Sequence, residues 1–265
     1  GLSCHQDQSG RIFDYEYDGL GRLCRTFVRN GTTHGKELLS SCSYSYGSSA
    51  GSNRIRTRDY LGADAASFKE TNTYHDLLGR PVETVMTAAS PAGKDIVLLS
   101  EYDDFGRPYR KFCPVPMTTS TGAYASFSDI HPEILKFYNW EVYAFSKTLY
   151  DDSPLDRPVE EYGPGSPWHT RGKSVRTSYL VNDGSGLFSC SGYLVESDTS
   201  LTCVGTLPSG NLRVEKKTDE DGNVTLTFTD RLGRKTLDRT VDGERYQDTY
   251  YVYDDLGLLR YVLTP

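Results

Sequence analysis

Stretches of β-branched and aromatic residues recur along the chain and stop abruptly at turn-forming residues. Ile12-Phe13-Asp14-Tyr15-Glu16-Tyr17 alternates apolar and polar positions, and Val224 to Phe228 is rich in the same residue types. Strand side chains point to alternate faces, so these patterns predict half-buried strands. The segment after each stretch is repetitive. The chain reads Y-D-G-L-G-R at Tyr17–Arg22, H-D-L-L-G-R at His75–Arg80 and Y-D-D-F-G-R at Tyr102–Arg107. It then reads T-D-E-D-G-N at Thr218–Asn223, T-D-R-L-G-R at Thr229–Arg234 and Y-D-D-L-G-L at Tyr253–Leu258. A degenerate copy starts at Tyr150-Asp151-Asp152, takes an inserted Ser-Pro, and has Asp156 where the glycine belongs.

The residue types explain the repeat mechanically. Asp18, Asp76, Asp103, Asp219, Asp230 and Asp254 each open a turn by accepting backbone N–H groups. Three residues on, Gly21, Gly79, Gly106, Gly222, Gly233 and Gly257 supply the positive φ that closes a type I turn with a bulge. Arg22, Arg80, Arg107 and Arg234 come next, and each is expected to pair with an aspartate of a neighbouring copy. The chain leaves as a second strand, over Leu23–Val28, Val82–Val85 and Lys235–Val241. Pro81, Pro108 and Pro158 fit the first position of such strands. Asp242-Gly243 adds a two-residue hairpin signal inside a meander over 212–263.

The fold class these patterns imply is all-β, with consecutive antiparallel hairpins forming a curved repeat sheet or partial β-shell. At most one short helix is expected, near 128–138, with Ser128 as its N-cap and Ile130, Ile134, Leu135 and Tyr138 at helical spacing. Ser40 to Asn53 reads as a Ser/Gly loop inside another hairpin, Tyr44-Ser45-Tyr46 to Arg54–Arg58, Pro114 to Phe127 as an irregular segment ending a strand block, and Gly163 to Gly172 as a turn region. The chain is read as one module, 1–265, with a seam over 114–145 separating 1–113 from 146–265.

Composition narrows the class. Of 265 residues, 29 are Lys or Arg and 36 Asp or Glu, giving a net charge of −7. No basic stripe runs along the sequence, which argues against nucleic acid. No apolar run approaches the roughly 18 residues of a membrane helix. Only 37% of residues are hydrophobic, and Tyr (20) outnumbers Phe (10) and Trp (2), which fits a thin sheet with much wet surface. The six cysteines contain no C-x-x-C pair. Cys190 and Cys203 flank a hairpin around Glu196 to Ser200 and could face each other, although small buried thiols are the plainer reading. Gly1 in place of Met suggests a trimmed start, and the missing piece could have held a secretion signal.

Several constellations invite chemistry. Gly47-Ser48-Ser49-Ala50-Gly51 matches G-x-S-x-G, but a returning strand rather than a helix comes after it. Asp219, Asp221 and Asn223 have the oxygen alternation of a calcium loop, yet Phe228 stands where the bidentate Glu is needed. Asp103-Asp104, Asp151-Asp152 and Asp254-Asp255 are carboxylate pairs of the kind glycosidases use, but each falls at a turn. His5, His34, His75, His131 and His169 show no metal spacing. Trp140 and Trp168, in irregular segments, are the candidate ligand surface, with strand tyrosines as a wet-edged platform.

The recurring Y-D-x-x-G-R, ending in Asp248-Thr249-Tyr250-Tyr251-Val252-Tyr253-Asp254-Asp255-Leu256-Gly257, resembles the RHS/YD-repeat family. The likeness is clearest over 74–112, 145–168 and 213–263, and closest to the region upstream of the main array in long bacterial surface or secreted members. The resemblance implies strand hairpins coiled into a hollow shell, which encloses a C-terminal toxic domain in toxin systems and scaffolds adhesion in animal teneurins. It implies a non-enzymatic structural module, extracellular or on the bacterial cell surface, without a cofactor. Its partners would be downstream repeats and a C-terminal domain of the same polypeptide. The chain stops just after a strand, at Pro265, and those repeats are expected to cover the open edge. The family's self-cleaving aspartates have no counterpart here. A glycan- or protein-binding adhesin module is the alternative, and a hydrolase a more distant one.

Overall fold

The fold is described from a computed structural model over residues 4–30, 35–62, 65–197 and 200–265. It divides into two compact units, Gly1–Ser146 with Pro164–Ser166, and Lys147–Gly163 with Pro167–Pro265.

In unit 1, strands β1 (Cys4–Gln6), β2 (Arg11–Tyr17), β3 (Leu23–Asn30), β4 (Glu37–Ser45), β5 (Arg54–Tyr60), β6 (Phe68–His75), β7 (Pro81–Thr87), β8 (Ile96–Tyr102) and β9 (Pro108–Phe112) succeed one another. Each pairs antiparallel with the next. A short β10 (Val115–Pro116) pairs with the start of β8. Cross-strand rows such as Asn72–Val85–Val97–Val115 and Tyr74–Glu83–Leu99 make one buried face. The insertion after β9 covers that face. Ile130 and Ile134 of α1 (Phe127–Phe137) pack on it with Met117, Phe112, Ala144 and Phe145. Residues 114–145 are therefore part of this unit's core, and the division between units falls after Ser146.

Unit 2 starts within β11 (Phe145–Tyr150) and continues through β12 (Pro158–Tyr162), α2 (Ser166–Thr170), β13 (Val175–Val181), a 3-10 turn (Gly186–Phe188), β14 (Ser191–Ser197), β15 (Ser200–Thr206), β16 (Arg213–Thr218), β17 (Val224–Thr229), β18 (Lys235–Asp242), β19 (Arg245–Tyr253) and β20 (Leu259–Leu263). The sheet runs β11-β12-β13-β16-β17-β18-β19-β20, all antiparallel. The hairpin β14–β15 lies in an insertion between β13 and β16. A row Val214–Phe228–Leu237–Tyr250 forms the core face. Cys190 and Leu212 pack on it, with Leu187, Phe188 and Leu207 half-buried around them.

The all-β expectation holds, with corrections in detail. Pro81, Pro108 and Pro158 each begin a strand. The helix is capped by Ser126, not Ser128, because Asp129 reaches back to the Ser126 N–H at 3.1 Å. Gly163 to Gly172 is not all turn, since it holds α2, a second short helix beyond the one expected. Ser40–Ser45 continue β4, so the loop is confined to 46–53. Asp242 pairs with Arg245, so the two-residue turn is Gly243-Glu244 with Gly243 at φ +60°. Cys190 and Cys203 do not face each other. Cys190 accepts from the Leu207 N–H and Cys203 stands opposite Tyr193, while the hairpin tip, 198–199, lies outside the described residues.

Candidate functional site: the hairpin-tip edges

Each Asp-x-x-Gly copy folds into the same turn. At Asp18 the backbone N–H donates to Arg22 O at 2.9 Å, and the Gly21 N–H donates to Asp18 O at 2.9 Å. One carboxylate oxygen accepts from the Leu20 and Arg22 N–H groups, both at 2.9 Å. The other accepts from Arg22 Nε at 2.7 Å. Gly21 sits at φ +77°, and Gly79, Gly106, Gly222, Gly233 and Gly257 are left-handed too. The arginine thus pairs with the aspartate of its own copy, as Arg80–Asp76, Arg107–Asp103 and Arg234–Asp230 also show, and not with a neighbour's. Four residues of separation inside a closed turn bring the two groups together before any other partner can compete. The Arg22 guanidinium and N–H hold the Asp18 carboxyl below its ordinary range. For Asp103, partial burial pushes upward, and hydrogen bonds from the Arg107 N–H and guanidinium outweigh it.

Several neighbouring hairpins are joined through the flat face of a turn guanidinium. Arg22 lies 4.2 Å from the Tyr44 ring centre, Arg80 4.5 Å from Tyr102, and Arg157 4.7 Å from Tyr179. Each tyrosine then donates its hydroxyl to the carbonyl one residue after that arginine. The distances are 3.1 Å for Tyr44 to Leu23, 2.8 Å for Tyr102 to Pro81 and 3.1 Å for Tyr179 to Pro158. Of the three, Tyr102 is the motif's own tyrosine, so the Asp103 copy clamps the preceding one, while Tyr44 and Tyr179 clamp from strands outside the motif.

Imperfect copies keep the geometry by substitution. Asp156 takes the left-handed place at φ 51°, and Arg157 still reaches Asp151 at 2.8 Å. Asn223 donates its side-chain amide to Asp219 at 2.8 Å where an arginine would stand. Leu258 replaces arginine after Gly257, and Arg260, two residues on and so on the same strand face, donates to Asp254 at 2.7 Å. Two copies are missed by the sequence pattern. Asp7-Gln8-Ser9-Gly10-Arg11 has the full signature and the full bonding, with Arg11 Nε 3.1 Å from Asp7. Ser90-Pro91-Ala92-Gly93-Lys94 forms the same turn on a serine hydroxyl, which accepts from the Lys94 N–H at 2.8 Å.

Because consecutive strands are antiparallel, successive connections alternate between the two edges of each sheet. This separates the turns into two sets. In unit 1 the turns at Asp18, Asp76 and Asp103 share one edge, and those at Asp7 and Ser90 the other. In unit 2 the turns at Asp151, Asp230 and Asp254 share one edge, and the turn at Asp219 lies on the other. The residue just before the left-handed position differs between the sets. On the first edges it is Leu20, Leu78 and Phe105, or Leu155, Leu232 and Leu256, each residue 67% to 84% exposed. On the opposite edges the same place holds Ser9, Ala92 and Asp221. Leu61, in a loop of other geometry, is a separate exposed leucine there. Identical turns have no internal need for leucine, so the asymmetry belongs to the surface.

The remaining candidates are scattered. Asp103, Asp151 and Asp254 are each committed to a turn, and the carboxylate pairs sit at separate hairpin tips. Asp221 meets Lys173 at 3.3 Å, and Asn223 presents its N–H rather than its oxygen to Asp219, so the three oxygens do not converge on an ion. Among the described residues no group of three His, Cys, Asp or Glu could hold a metal, and His34 lies outside them. Ser49 hydrogen-bonds Ser52 within the β4–β5 loop, without the strand-to-helix turn of a nucleophile elbow. Trp140, in unit 1, is 74% exposed at φ +65°. Trp168, in unit 2, is half-buried against Gly163, with Lys173 Nζ 5.9 Å from its ring.

The family described as "Domain of unknown function (DUF6443)" matches residues 48–181. The chain belongs to that family. The matched stretch runs from the β4–β5 loop to the end of β13 and contains the turns at Asp76, Asp103 and Asp151. The solved structure "Crystal Structure of TcdB2-TccC3" is similar over 99% of this chain, with a TM-score of 0.55 and 13% identity. That likeness is one of fold, and this chain spans 14% of the length of that one. A Photorhabdus luminescens Tc holotoxin pore, also with a TccC3 component, shares 12% identity over 98% of this chain and 14% of its own, at a TM-score of 0.29. No curated protein matches.

Proposed function

We propose that the chain is a non-enzymatic YD/RHS-repeat module of a larger secreted or bacterial cell-surface protein, building part of a β-shell that scaffolds or encloses a C-terminal domain encoded downstream. The observation that carries this reading is the edge asymmetry. Large apolar residues stand at six turns on one pair of edges and are missing from the same position on the others. Further hairpins of the same polypeptide are the partner this fits, since their tips repeat at the spacing of paired strands. The fold likeness to a segment of the much longer TcdB2-TccC3 chain supports a module within an assembly. In toxin systems the enclosed domain would be toxic. The test is Leu232→Asp with Leu256→Asp in the full polypeptide. The isolated 265-residue chain should keep its melting temperature, while the full polypeptide loses protease resistance. Unchanged resistance would overturn the reading.

A second reading, a surface for glycan or protein, is favoured by Trp140. The Leu135 carbonyl takes its N–H at 2.6 Å, and the indole is presented from a left-handed residue just beyond α1. It predicts that Trp140→Ala abolishes a glycan-array signal without moving the melting temperature.

A further inference from the structure

We propose that Cys24 and Cys42 form an intramolecular disulfide that staples β3 to β4. The register places them opposite each other. Arg25 pairs with Ser41 and Thr26 with Ser40, so one step toward the Asp18 turn sets Cys24 across from Cys42. One further pair along the same face, Arg22 and Tyr44 are in contact at 4.2 Å. The two cysteines are thus bracketed on both sides by observed cross-strand neighbours. Directly opposed residues hold their Cβ atoms about 4.5–5.5 Å apart, and a disulfide needs about 3.5–4.5 Å, so a small closure of the strands suffices.

Their surroundings agree. Both thiols are half-exposed and line one concavity with Arg22 and Tyr44. The Tyr44 hydroxyl donates to Leu23 O, beside Cys24, at 3.1 Å. Its pKa is pushed up to about 12, first by a hydrogen bond with Cys42 and then by burial, with the charge of Cys24 adding to the rise. No other cysteine has this arrangement among the described residues. Cys4 stands opposite Asp14, the Cys113 N–H donates to Ala144 O, Cys190 meets Leu207, and Cys203 stands opposite Tyr193. Nor does the arginine–tyrosine clamp itself require thiols. By the same register, the pair beside Arg80 and Tyr102 is Val82 with Ser100, and the pair beside Arg157 and Tyr179 is Val159 with Thr177.

The oxidant is a small disulfide such as glutathione disulfide. One cysteine thiolate attacks it, releasing one glutathione thiolate and leaving a mixed disulfide. The second cysteine then attacks the protein sulfur of that bond and releases the other glutathione. Two protein thiols are oxidised, one glutathione disulfide is reduced, and two protons pass to the glutathione thiols.

The test treats the full chain with glutathione disulfide or with dithiothreitol, alkylates it, and maps the cysteines by peptide mass. After oxidation, the Cys24 and Cys42 peptides should be linked, lighter by two hydrogens and unalkylated, and dithiothreitol should reverse this. Oxidation should raise the melting temperature by about 5 °C or more, and Cys24→Ser should remove the rise while keeping the β-sheet circular dichroism. Stable glutathione adducts on both residues, full alkylation of both, or a link from either to another cysteine would overturn the proposal.

Discussion

In unit 1 the segment laid over the sheet hangs from buried carboxylates, whereas in unit 2 it hangs from a buried guanidinium and an amide. Asp95, fully buried, accepts from the Ala88, Thr121 and Gly122 N–H groups and the Thr119 hydroxyl at 2.9–3.0 Å. Glu83, 1% exposed, takes the Ala125 N–H just before the helix cap at 3.2 Å. In unit 2, Arg239 is held by Asp248 at 2.7 and 2.8 Å and donates to the Leu187 and Ser189 carbonyls at 2.8 and 3.0 Å. Asn182 accepts the Leu212 N–H and donates to Pro208 O, both at 2.8 Å. The difference comes from which backbone groups each segment turns inward. A strand-like arm approaching a helix start leaves N–H groups to satisfy, and the chain leaving a 3-10 turn leaves carbonyls.

That contrast can be broken at its strongest point. Asp95→Ala strands the Ala88, Thr121 and Gly122 N–H groups, the last of them buried, and should cost about 3 kcal/mol in urea unfolding, and a loss under about 1 kcal/mol would show that the arm does not depend on it. Arg239→Met leaves Asp248 with only the Tyr250 hydroxyl, takes that donor from the Leu187 and Ser189 carbonyls, and should cost about 3 kcal/mol. The next effect separates the units by pH. Burial pushes the Glu83 carboxyl up to about 7, with only a partial offset from the Ala125 N–H. Its folded pKa lies above the ordinary 4.5, so the native state holds the extra proton and stability falls as pH rises from 4.5 to about 7. Glu83→Gln should be more stable than the parent at pH 8, by up to about 3 kcal/mol, and level with it at about pH 4.5. Parallel pH curves for the two proteins would remove Glu83 from the account. The turn aspartates act with the opposite sign. Their lowered pKa values contribute stability above the ordinary 3.8 that is lost as acid protonates them.

Smaller effects sharpen the comparison of turn with loop. Gly106 is at φ +86°, and an added Cβ would come within 2.8 Å of an Arg80 guanidinium nitrogen. Gly106→Val should therefore cost about 1–3 kcal/mol by thermal melting. The sequence suggests that Gly51→Ala is mild by contrast, because the loop reads as a floppy tip. Instead Gly51 is at φ +77° with the Tyr124 side chain 2.8 Å from the new Cβ, and its cost should approach that of Gly106→Val. Least of all, Arg22→Lys keeps the charge but loses the flat stack on Tyr44, and should cost under about 1 kcal/mol.

The regular repeat turns are legible because every bond of the Asp lies within five residues, so Asp, Gly and Arg betray the geometry locally. Even there a plain copy at Asp7–Arg11 went unread, and the serine version at Ser90 lacks the aspartate that marks the others. Register could not be read in the same way. Glu83 sits two positions from Val85 and so shares its buried face, yet a glutamate in a strand ordinarily argues for solvent. The apolar edge was hidden for a related reason. The leucines are visible in the motif, but only strand pairing reveals that they share an edge while Ser9, Ala92 and Asp221 do not.

Oxidative footprinting of the tips reaches the central claim most directly. Hydroxyl-radical labelling rates of Leu20, Leu78, Phe105, Leu232 and Leu256 would be compared between the isolated chain and the full polypeptide. Burial of these tips against further hairpins predicts a several-fold drop at all five in the full polypeptide, with Leu61, on the opposite edge of unit 1, unchanged. Equal rates at the five tips in both contexts would contradict it.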